Sequence, residues 1–204
     1  VTYPAGPRNE TKGKTEAAHF LEHLMFKGTD RLNRRKGTAI PFLLEETGAM
    51  LNGTTGLDGT HYYEVLPKER LALAMEIEAD RMRGALLRKE DIEDERRVIL
   101  NEYEKYENSP LFALEEAVWR KAFKKHPYRY GMLGERRDVE KMTAKYLRKF
   151  YDTYYWPDRA VLTLIGDFNE AGALALVREK FSGIRRSSKP VPEVEAQEPE
   201  QKKM

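Results

Sequence analysis

Two histidines and a glutamate that are close together in the chain have the residue types and spacing of a metal site. The stretch His19-Phe20-Leu21-Glu22-His23 places the histidines four residues apart, with the glutamate between them. On a helix, residues three or four apart share one face. Imidazole nitrogens suit zinc, and an adjacent carboxylate can take a proton from a water molecule. The pattern predicts a hydrolytic zinc site; the alternative is a solvated amphipathic helix with two ordinary histidines.

A catalytic zinc ion usually has three protein ligands, so a third ligand must come from elsewhere in the chain. The chain contains no cysteine, which excludes a thiolate ligand and a disulfide framework. Four side chains remain as candidates: His61, His126, Glu95 and Glu102. His61 falls in a predicted strand and His126 in a lysine-rich loop, where an ordinary surface histidine is the simpler interpretation.

The two glutamates are stronger candidates because they lie on the apolar stripe of a predicted helix. Steps of three and four residues place them on one helix face, together with Ile92, Ile99 and Tyr106. A carboxylate on such a face needs a cation, hydrogen bonds or a metal ion. Glu95 and Glu102 lie about 10 Å apart along the helix axis, so at most one of them can bind the ion directly. The alternative is that both reach water or pair with arginine at the edge of the core.

The elements that must position these side chains are indicated by hydrophobic periodicity and turn residues. The histidine motif belongs to a helix that begins near Thr15 and ends before Gly28. Two strands, residues 50–55 and 60–65, flank a turn, and residues 89–108 form the glutamate-bearing helix. The sequence also predicts helices over 39–47, 68–87, 110–123, 138–155 and 169–181, and a buried strand over 160–165.

Composition limits the classes of partner. The 204 residues are 40% hydrophobic and 34% charged with a net charge of +2, so net charge does not imply a nucleic-acid partner. The basic loop 31–36 could bind nucleic acid, but a solvated loop is the simpler interpretation. No apolar run is long enough to span a membrane. The sequence predicts a soluble chain and leaves its compartment, periplasm or cytoplasm, open. After Ser187 the chain becomes proline-rich and acidic, which is typical of an extended linker.

Several motifs together resemble those of one family, the pitrilysin, insulinase and mitochondrial-processing-peptidase family of zinc peptidases. The matching segments are residues 19–29 for its active-site helix with the inverted His-x-x-Glu-His motif, 48–55 and 58–63 for its edge strand and the neighbouring strand, 95–102 for its third-ligand helix, and His126-Pro127-Tyr128 with Gly134 for a later loop. The resemblance covers about residues 1–185, and the combination of motifs is highly specific.

The resemblance implies how the metal site is built. His19, His23 and Glu102 would bind one zinc ion per chain. Glu22 would be the general base, which takes a proton from the attacking water and returns it to the leaving amine, while zinc would polarise the scissile carbonyl. Glu95 would support the ligands from behind without touching the ion.

The resemblance also implies the substrate and the wider architecture. Asn52, Gly53 and Thr54 would pair with the backbone of a peptide or unfolded polypeptide, which adds a strand to the edge of the sheet. The implied fold is α+β, an α/β sandwich in which a mostly antiparallel sheet is covered by helices. Residues 1–185 would form a zinc-binding peptidase domain that lacks the family's first strand, and residues 186–204 a Pro/Glu-rich linker or tail toward a homologous second half or partner subunit.

The implied function is that of a zinc metalloendopeptidase. The alternative within the family is a non-catalytic scaffold or partner subunit. Such members typically lose one or more motif residues, whereas His19, Glu22, His23 and Glu102 are all present here. The intact motif therefore favours the enzyme.

Overall fold

Three antiparallel strands form the sheet beside the histidine motif. The computed structural model describes residues 1–194 and 198–200. Within them β1 (Thr2–Tyr3), β2 (Met50–Gly56) and β3 (Gly59–Val65) lie in the order β1-β3-β2. The predicted hairpin is confirmed, because β2 and β3 pair along their whole length, from Met50 opposite Val65 to Gly56 opposite Gly59. β2 is therefore an edge strand among the described residues.

The described part of the chain also contains eight α-helices. They are α1 (Ala17–Leu24), α2 (Ile40–Glu45), α3 (Leu71–Gly84), α4 (Lys89–Glu107), α5 (Pro110–Ala122), α6 (Arg136–Lys141), α7 (Ala144–Tyr154) and α8 (Glu170–Phe181). Of these, α1 and α2 pack against the sheet. The predicted α+β class is confirmed. None of the helices in the described residues has the length and apolarity needed to cross a lipid bilayer.

One predicted helix, residues 138–155, is two helices in the structure. α6 ends at Lys141 and α7 begins at Ala144. The side chain of Thr143 accepts a hydrogen bond from the backbone N–H of Tyr146, at 3.3 Å, and so caps a new helix. Threonine at this position satisfies one of the free N–H groups at a helix start, which explains why the chain reinitiates here instead of continuing.

The metal motif is carried by a helix that is packed on several sides. The α1 residues Ala17, Ala18, Phe20, Leu21 and Leu24 are all buried. The helix contacts β2, α4 and α7. Burial of each large side chain contributes about 1.5–3 kcal/mol, so the core fixes the rotation of α1 about its axis. The polar face that remains carries the motif residues.

The stripe predicted on α4 is correct over its first half and drifts over its second. Ile92, Glu95 and Ile99 are buried, but the stripe continues through Tyr103, whereas Tyr106 is 52% exposed. A straight helix with about 3.6 residues per turn drifts by about 20° in each heptad relative to a repeat of 3.5. Over two heptads this drift moves Tyr106 off the buried face.

The buried strand predicted over residues 160–165 is wrong. Within the described residues, Val161 is the one residue of this run in a β-bridge, opposite Thr2, and the residues Val161 and Ile165 are 59% and 93% exposed. A continuous apolar run becomes a buried strand only when a neighbour of similar length supplies hydrogen bonds. β1 has two residues, so most of the run has no strand partner within the described residues.

The described residues of the predicted tail form hydrogen bonds with the preceding part of the chain. Asp158 accepts a hydrogen bond from the backbone N–H of Ser187 at 3.1 Å, and Arg159 donates to the carbonyl of Lys189 at 3.0 Å. Farther along, the carboxylate of Glu198 accepts the backbone N–H groups of residues 124–126 at 2.6–2.8 Å. Residues 195–197 and 201–204 of this tail lie outside the described residues.

Candidate metal centre

Three of the predicted ligands converge between α1 and α4. The Nε2 atoms of His19 and His23 are 3.2 Å apart. Glu102 Oε2 lies 3.5 Å from the first of these nitrogens and 3.7 Å from the second. Within the described residues, this is the one group of three or more histidine and acidic side chains whose ligand atoms lie close enough to share a metal ion.

The spacing of these atoms fits a tetrahedral zinc site. Zinc bonds to nitrogen and carboxylate oxygen are about 2.0–2.2 Å long, so neighbouring ligand atoms in a tetrahedron lie roughly 3.3–3.6 Å apart. The observed 3.2, 3.5 and 3.7 Å bracket that range. The donor set of two imidazoles and one carboxylate leaves the fourth position for water or substrate, as catalytic zinc sites require.

His23 is held from behind by the second glutamate of α4. Glu95 Oε2 lies 2.7 Å from His23 Nδ1, and the other oxygen of Glu95 forms an ion pair with Lys27. Burial opposes ionisation of Glu95, but the hydrogen bonds from His23 and Lys27 outweigh it and hold its pKa below the usual range. A carboxylate on Nδ1 leaves Nε2 facing the site, which is the common arrangement behind a metal-binding histidine.

His19 is held in the same way by Glu16, a residue that the sequence reasoning missed. Glu16 Oε2 lies 2.8 Å from His19 Nδ1. Burial disfavours a charged His19, but the hydrogen bond and charge of Glu16, with the charges of Glu22 and Glu102, raise the pKa of His19 to about 9. Glu16 precedes His19 by three residues, and this spacing was the sequence feature that could have indicated the contact. The predicted helix begins near Thr15, so Glu16 lies at its boundary, where helix spacing does not determine which side chains meet.

The proposed general base lies against the edge strand. Glu22 Oε2 accepts a hydrogen bond from the hydroxyl of Thr55, at 2.5 Å. A Cβ atom at Gly53 would lie 2.8 Å from Glu22 Cγ, so only glycine leaves room for this side chain without a shift. Residues 53 and 55 share a face of β2 because strand side chains alternate. Thr55 was missed because a strand–helix contact leaves no local trace in the sequence.

The other two predicted substrate-binding residues face away from α1. Asn52 and Thr54 are exposed on β2, and Asn52 Oδ1 accepts the backbone N–H of Gly53 at 2.9 Å. The structure therefore brings Gly53 against Glu22 and leaves the flanking side chains at the solvent-facing surface of the edge strand.

The remaining histidines lie apart from the cluster. His61 on β3 is exposed, with Nδ1 2.9 Å from the hydroxyl of Thr2. His126 Nδ1 accepts the backbone N–H of Tyr128 at 3.2 Å and caps a short 3-10 helix. Both have local roles of the kind expected for ordinary histidines. Of the four candidates for the third ligand, Glu102 is the one whose oxygen reaches His19 and His23.

The basic loop is paired with nearby acidic groups. Arg31 forms an ion pair with Glu76, and Arg35 Nη2 lies 2.6 Å from Glu90. Such exposed pairs add little stability, but they reduce the local positive field of the loop. This pairing favours the interpretation of residues 31–36 as a solvated loop.

Sequence comparison places the chain among known peptidases. Residues 1–136 match the family described as Insulinase (Peptidase family M16), and residues 141–204 match the Peptidase M16 inactive domain. The zinc protease PqqE of Helicobacter pylori is 31% identical over 203 residues, which is 98% of this chain and 45% of that protein. A probable mitochondrial-processing peptidase subunit beta of Schizosaccharomyces pombe is 30% identical over 188 residues, covering 92% of this chain and 40% of that protein.

Structural comparison agrees. A protease from Helicobacter pylori, solved as a crystal structure, matches with a TM-score of 0.91 at 30% identity, over 97% of this chain and 48% of that one. The periplasmic protease PqqL of Escherichia coli has the same fold, with a TM-score of 0.83. The chain spans less than half the length of the relatives it matches. The family implied by the motifs is confirmed: the chain belongs to the insulinase family of peptidases, family M16.

Proposed function

We propose that the chain is the zinc-bearing half of a metalloendopeptidase. His19, His23 and Glu102 would hold one Zn²⁺. The observation that carries this proposal is the triangle of ligand atoms, with sides of 3.2, 3.5 and 3.7 Å, which matches the edges of a tetrahedral zinc site. The names of the zinc protease relatives support the same metal.

Glu22 would act as the general base. A zinc ion held by this cluster would supply Lewis acidity to the scissile carbonyl and to the attacking water. Glu22 is one residue from the ligand His23 and one helical turn from His19. Its carboxylate would take the proton of the attacking water and deliver it to the leaving amine. The hydrogen bond from Thr55 fixes the orientation of that carboxylate during the transfer.

The substrate would bind as an added strand on β2. This strand lies at the edge of the sheet and packs against the helix that carries Glu22. A peptide paired with residues 52–54 would therefore bring its backbone close to the general base. Because such pairing recognises backbone groups, it fits peptides or unfolded polypeptides of varied sequence.

A homologous second half or partner subunit would complete the active site. The chain covers 45% of PqqE and 48% of the solved Helicobacter protease. Residues 1–185 would form the zinc-binding domain, and residues 186–204 would lead toward the second half. The match to the inactive-domain model begins at residue 141, after the last proposed site residue, so it does not argue against the site.

Zinc content and peptide cleavage test the proposal. We expect about one zinc ion per wild-type chain, loss of zinc in His23→Ala and Glu102→Ala, and retention at saturating zinc in Glu95→Ala, because Glu95 supports a ligand without being one. Cleavage of an unstructured fluorogenic peptide should be abolished by a chelator and restored by zinc.

Two results would contradict this proposal. A wild-type chain that holds no zinc after reconstitution is not a metallopeptidase domain. Zinc binding without cleavage, both in the chain alone and in the whole protein, would instead support the alternative of a non-catalytic partner subunit. Zinc with cleavage only in the whole protein would agree with the need for a second half.

A further inference from the structure

Glu16 is a buried carboxylate directed at a proposed zinc ligand. Its residue is 1% exposed, and its Oε2 lies 2.8 Å from His19 Nδ1. Its other oxygen, Oε1, is buried without a hydrogen-bond partner in the described part of the chain. Burying a carboxylate with one oxygen unpaired is unfavourable for folding. Within the described residues, the contact with His19 is the one hydrogen bond that the Glu16 side chain forms in return.

The backbone at Glu16 is also unfavourable for a side chain. Its φ of 72° and ψ of 8° lie in the left-handed region, where glycine is the default residue. Among the described residues that are not glycine, Glu16 and Leu87 are the two with positive φ. A strained backbone and a buried charge at the same position are typical of residues that serve a site and not stability.

Neighbouring contacts hold this segment in place. Glu10 accepts the backbone N–H of Glu16 at 2.8 Å and that of Ala18 at 2.9 Å. Asp138 accepts both the backbone N–H and the hydroxyl of Thr15, at 3.1 and 2.8 Å. The start of α1 is therefore fixed from two sides, and the side chain of Glu16 is delivered to His19 by a rigid backbone.

We propose that Glu16 is a positioning residue for His19. The carboxylate of Glu16 accepts the hydrogen on His19 Nδ1 and so directs the Nε2 lone pair of His19 toward His23 and Glu102. This inference rests on the proposed zinc site. It gives each histidine its own carboxylate: Glu95 from α4 holds His23, and Glu16 from the start of α1 holds His19. The two differ in that Glu95 also pairs with Lys27.

Zinc affinity, measured by competition with a chromogenic chelator, tests the role of Glu16. Glu16→Gly should lower the affinity about 10- to 100-fold, the usual effect of removing the partner behind a ligand. Glycine accepts a φ of 72°, so the same variant should keep or raise the unfolding midpoint of the metal-free chain. Glu16→Gln should bind zinc more tightly than Glu16→Gly, because its amide oxygen can still accept the Nδ1 hydrogen.

A matched control and a second readout separate positioning from folding. Glu116 is a largely buried carboxylate that pairs with Arg120 and is not one of the converging ligands, so Glu116→Gln should leave zinc affinity unchanged. In cobalt-substituted protein, the visible absorption spectrum should change in Glu16→Gly and be largely restored in Glu16→Gln. A purely structural role for Glu16 would not produce this pattern.

The outcomes distinguish this inference from the proposed function. If wild type binds no zinc, the zinc site and this role of Glu16 fall together. If wild type binds zinc and Glu16→Gly has an affinity within twofold of it with the same cobalt spectrum, the role of Glu16 alone is overturned. Should Glu16→Gly fail to fold, Glu16→Ala decides by the same affinity and spectral criteria.

Discussion

Two buried clusters of charged side chains differ in where their positive charge comes from. In the first, the guanidinium of Arg81 is fully buried, donates to Glu78 through Nε at 3.0 Å and to Glu64 through Nη2 at 2.9 Å, and stacks near the rings of Phe26 and Tyr62. The chain itself supplies the cation that these carboxylates need.

The second cluster surrounds His19 and His23 with carboxylates and has no buried guanidinium at its centre among the described residues. Among the described residues, Lys27 is the one basic side chain that forms an ion pair with a carboxylate of this cluster, and that carboxylate is Glu95. Glu102 faces the two histidines with no lysine or arginine partner among the described residues. The contrast separates buried carboxylates that surround a guanidinium from buried carboxylates that converge on imidazoles, and only the second arrangement is the one proposed to bind zinc.

The largest expected effect separates chemistry from metal binding within the histidine cluster. Glu22→Gln should lower the rate of peptide cleavage by about 10²- to 10⁴-fold, because an amide cannot accept the proton of the attacking water. Zinc content should match wild type, since Glu22 is not one of the converging ligands. The check is a rate assay on a fluorogenic peptide at saturating zinc, in whichever form of the protein cleaves. Cleavage at the wild-type rate would remove Glu22 from the proposed mechanism.

The next largest effect concerns the first cluster, around Arg81. Arg81→Met should lower the unfolding free energy of the metal-free chain by about 3–5 kcal/mol, because it leaves the buried carboxylate of Glu78 without its cation. Zinc bound per folded chain should not change. Denaturant unfolding and zinc titration measure the two effects. As a control, Arg97→Met at an exposed helix position should alter stability by less than about 0.5 kcal/mol.

A different result for Arg81 would break the comparison. If Arg81→Met kept its stability but lost zinc, the two clusters would be one coupled unit, and the distinction between structural and metal-binding charge would be wrong. Equal losses in Arg81→Met and Arg97→Met would instead show that burial does not set the size of the effect.

Local geometry explains which parts of the site could be predicted from sequence. The spacing of His19 and His23 on one helix face, and of Glu95 and Glu102 on another, follows from helix periodicity and needs no knowledge of the fold. The β2–β3 hairpin was likewise predictable from two alternating runs around a turn. The choice of Glu102 over Glu95 as the third ligand came from the family resemblance, because seven residues along a helix leave both on one stripe.

Long-range packing explains what the sequence could not predict. Arg81 looks like an ordinary polar residue of α3, and its complete burial depends on Glu64 from another element. Thr55 reaches Glu22 only because β2 packs on α1. The apolar run at 160–165 has the composition of a buried strand, yet its exposure is set by the two-residue length of β1. In each case the deciding partner is distant in sequence.

The smallest effect tests how fully Arg81 neutralises its two carboxylates. Burial and the charge of Glu78 raise the pKa of Glu64 from 4.5 to about 8, although Arg81 acts in the opposite direction. Between these pH values the folded chain binds more protons than the unfolded chain, so the unfolding free energy should fall as the pH rises through about 8. In Glu64→Gln the side chain at position 64 is neutral at every pH, so this contribution to the fall in unfolding free energy should be absent.

Urea unfolding at pH 5.5 and 8.5 measures that difference. Relative to wild type, Glu64→Gln should be more stable at pH 8.5 than at pH 5.5 by at least about 1 kcal/mol, close to the free energy of a one-unit pKa shift. Glu46→Gln, at an exposed position, should differ from wild type by the same small amount at both pH values. If Glu64→Gln also runs parallel to wild type, Arg81 fully compensates both carboxylates. The contrast with the histidine cluster then becomes sharper, because the first cluster would be neutralised by its own arginine, whereas in the second, among the described residues, a lysine pairs with Glu95 alone.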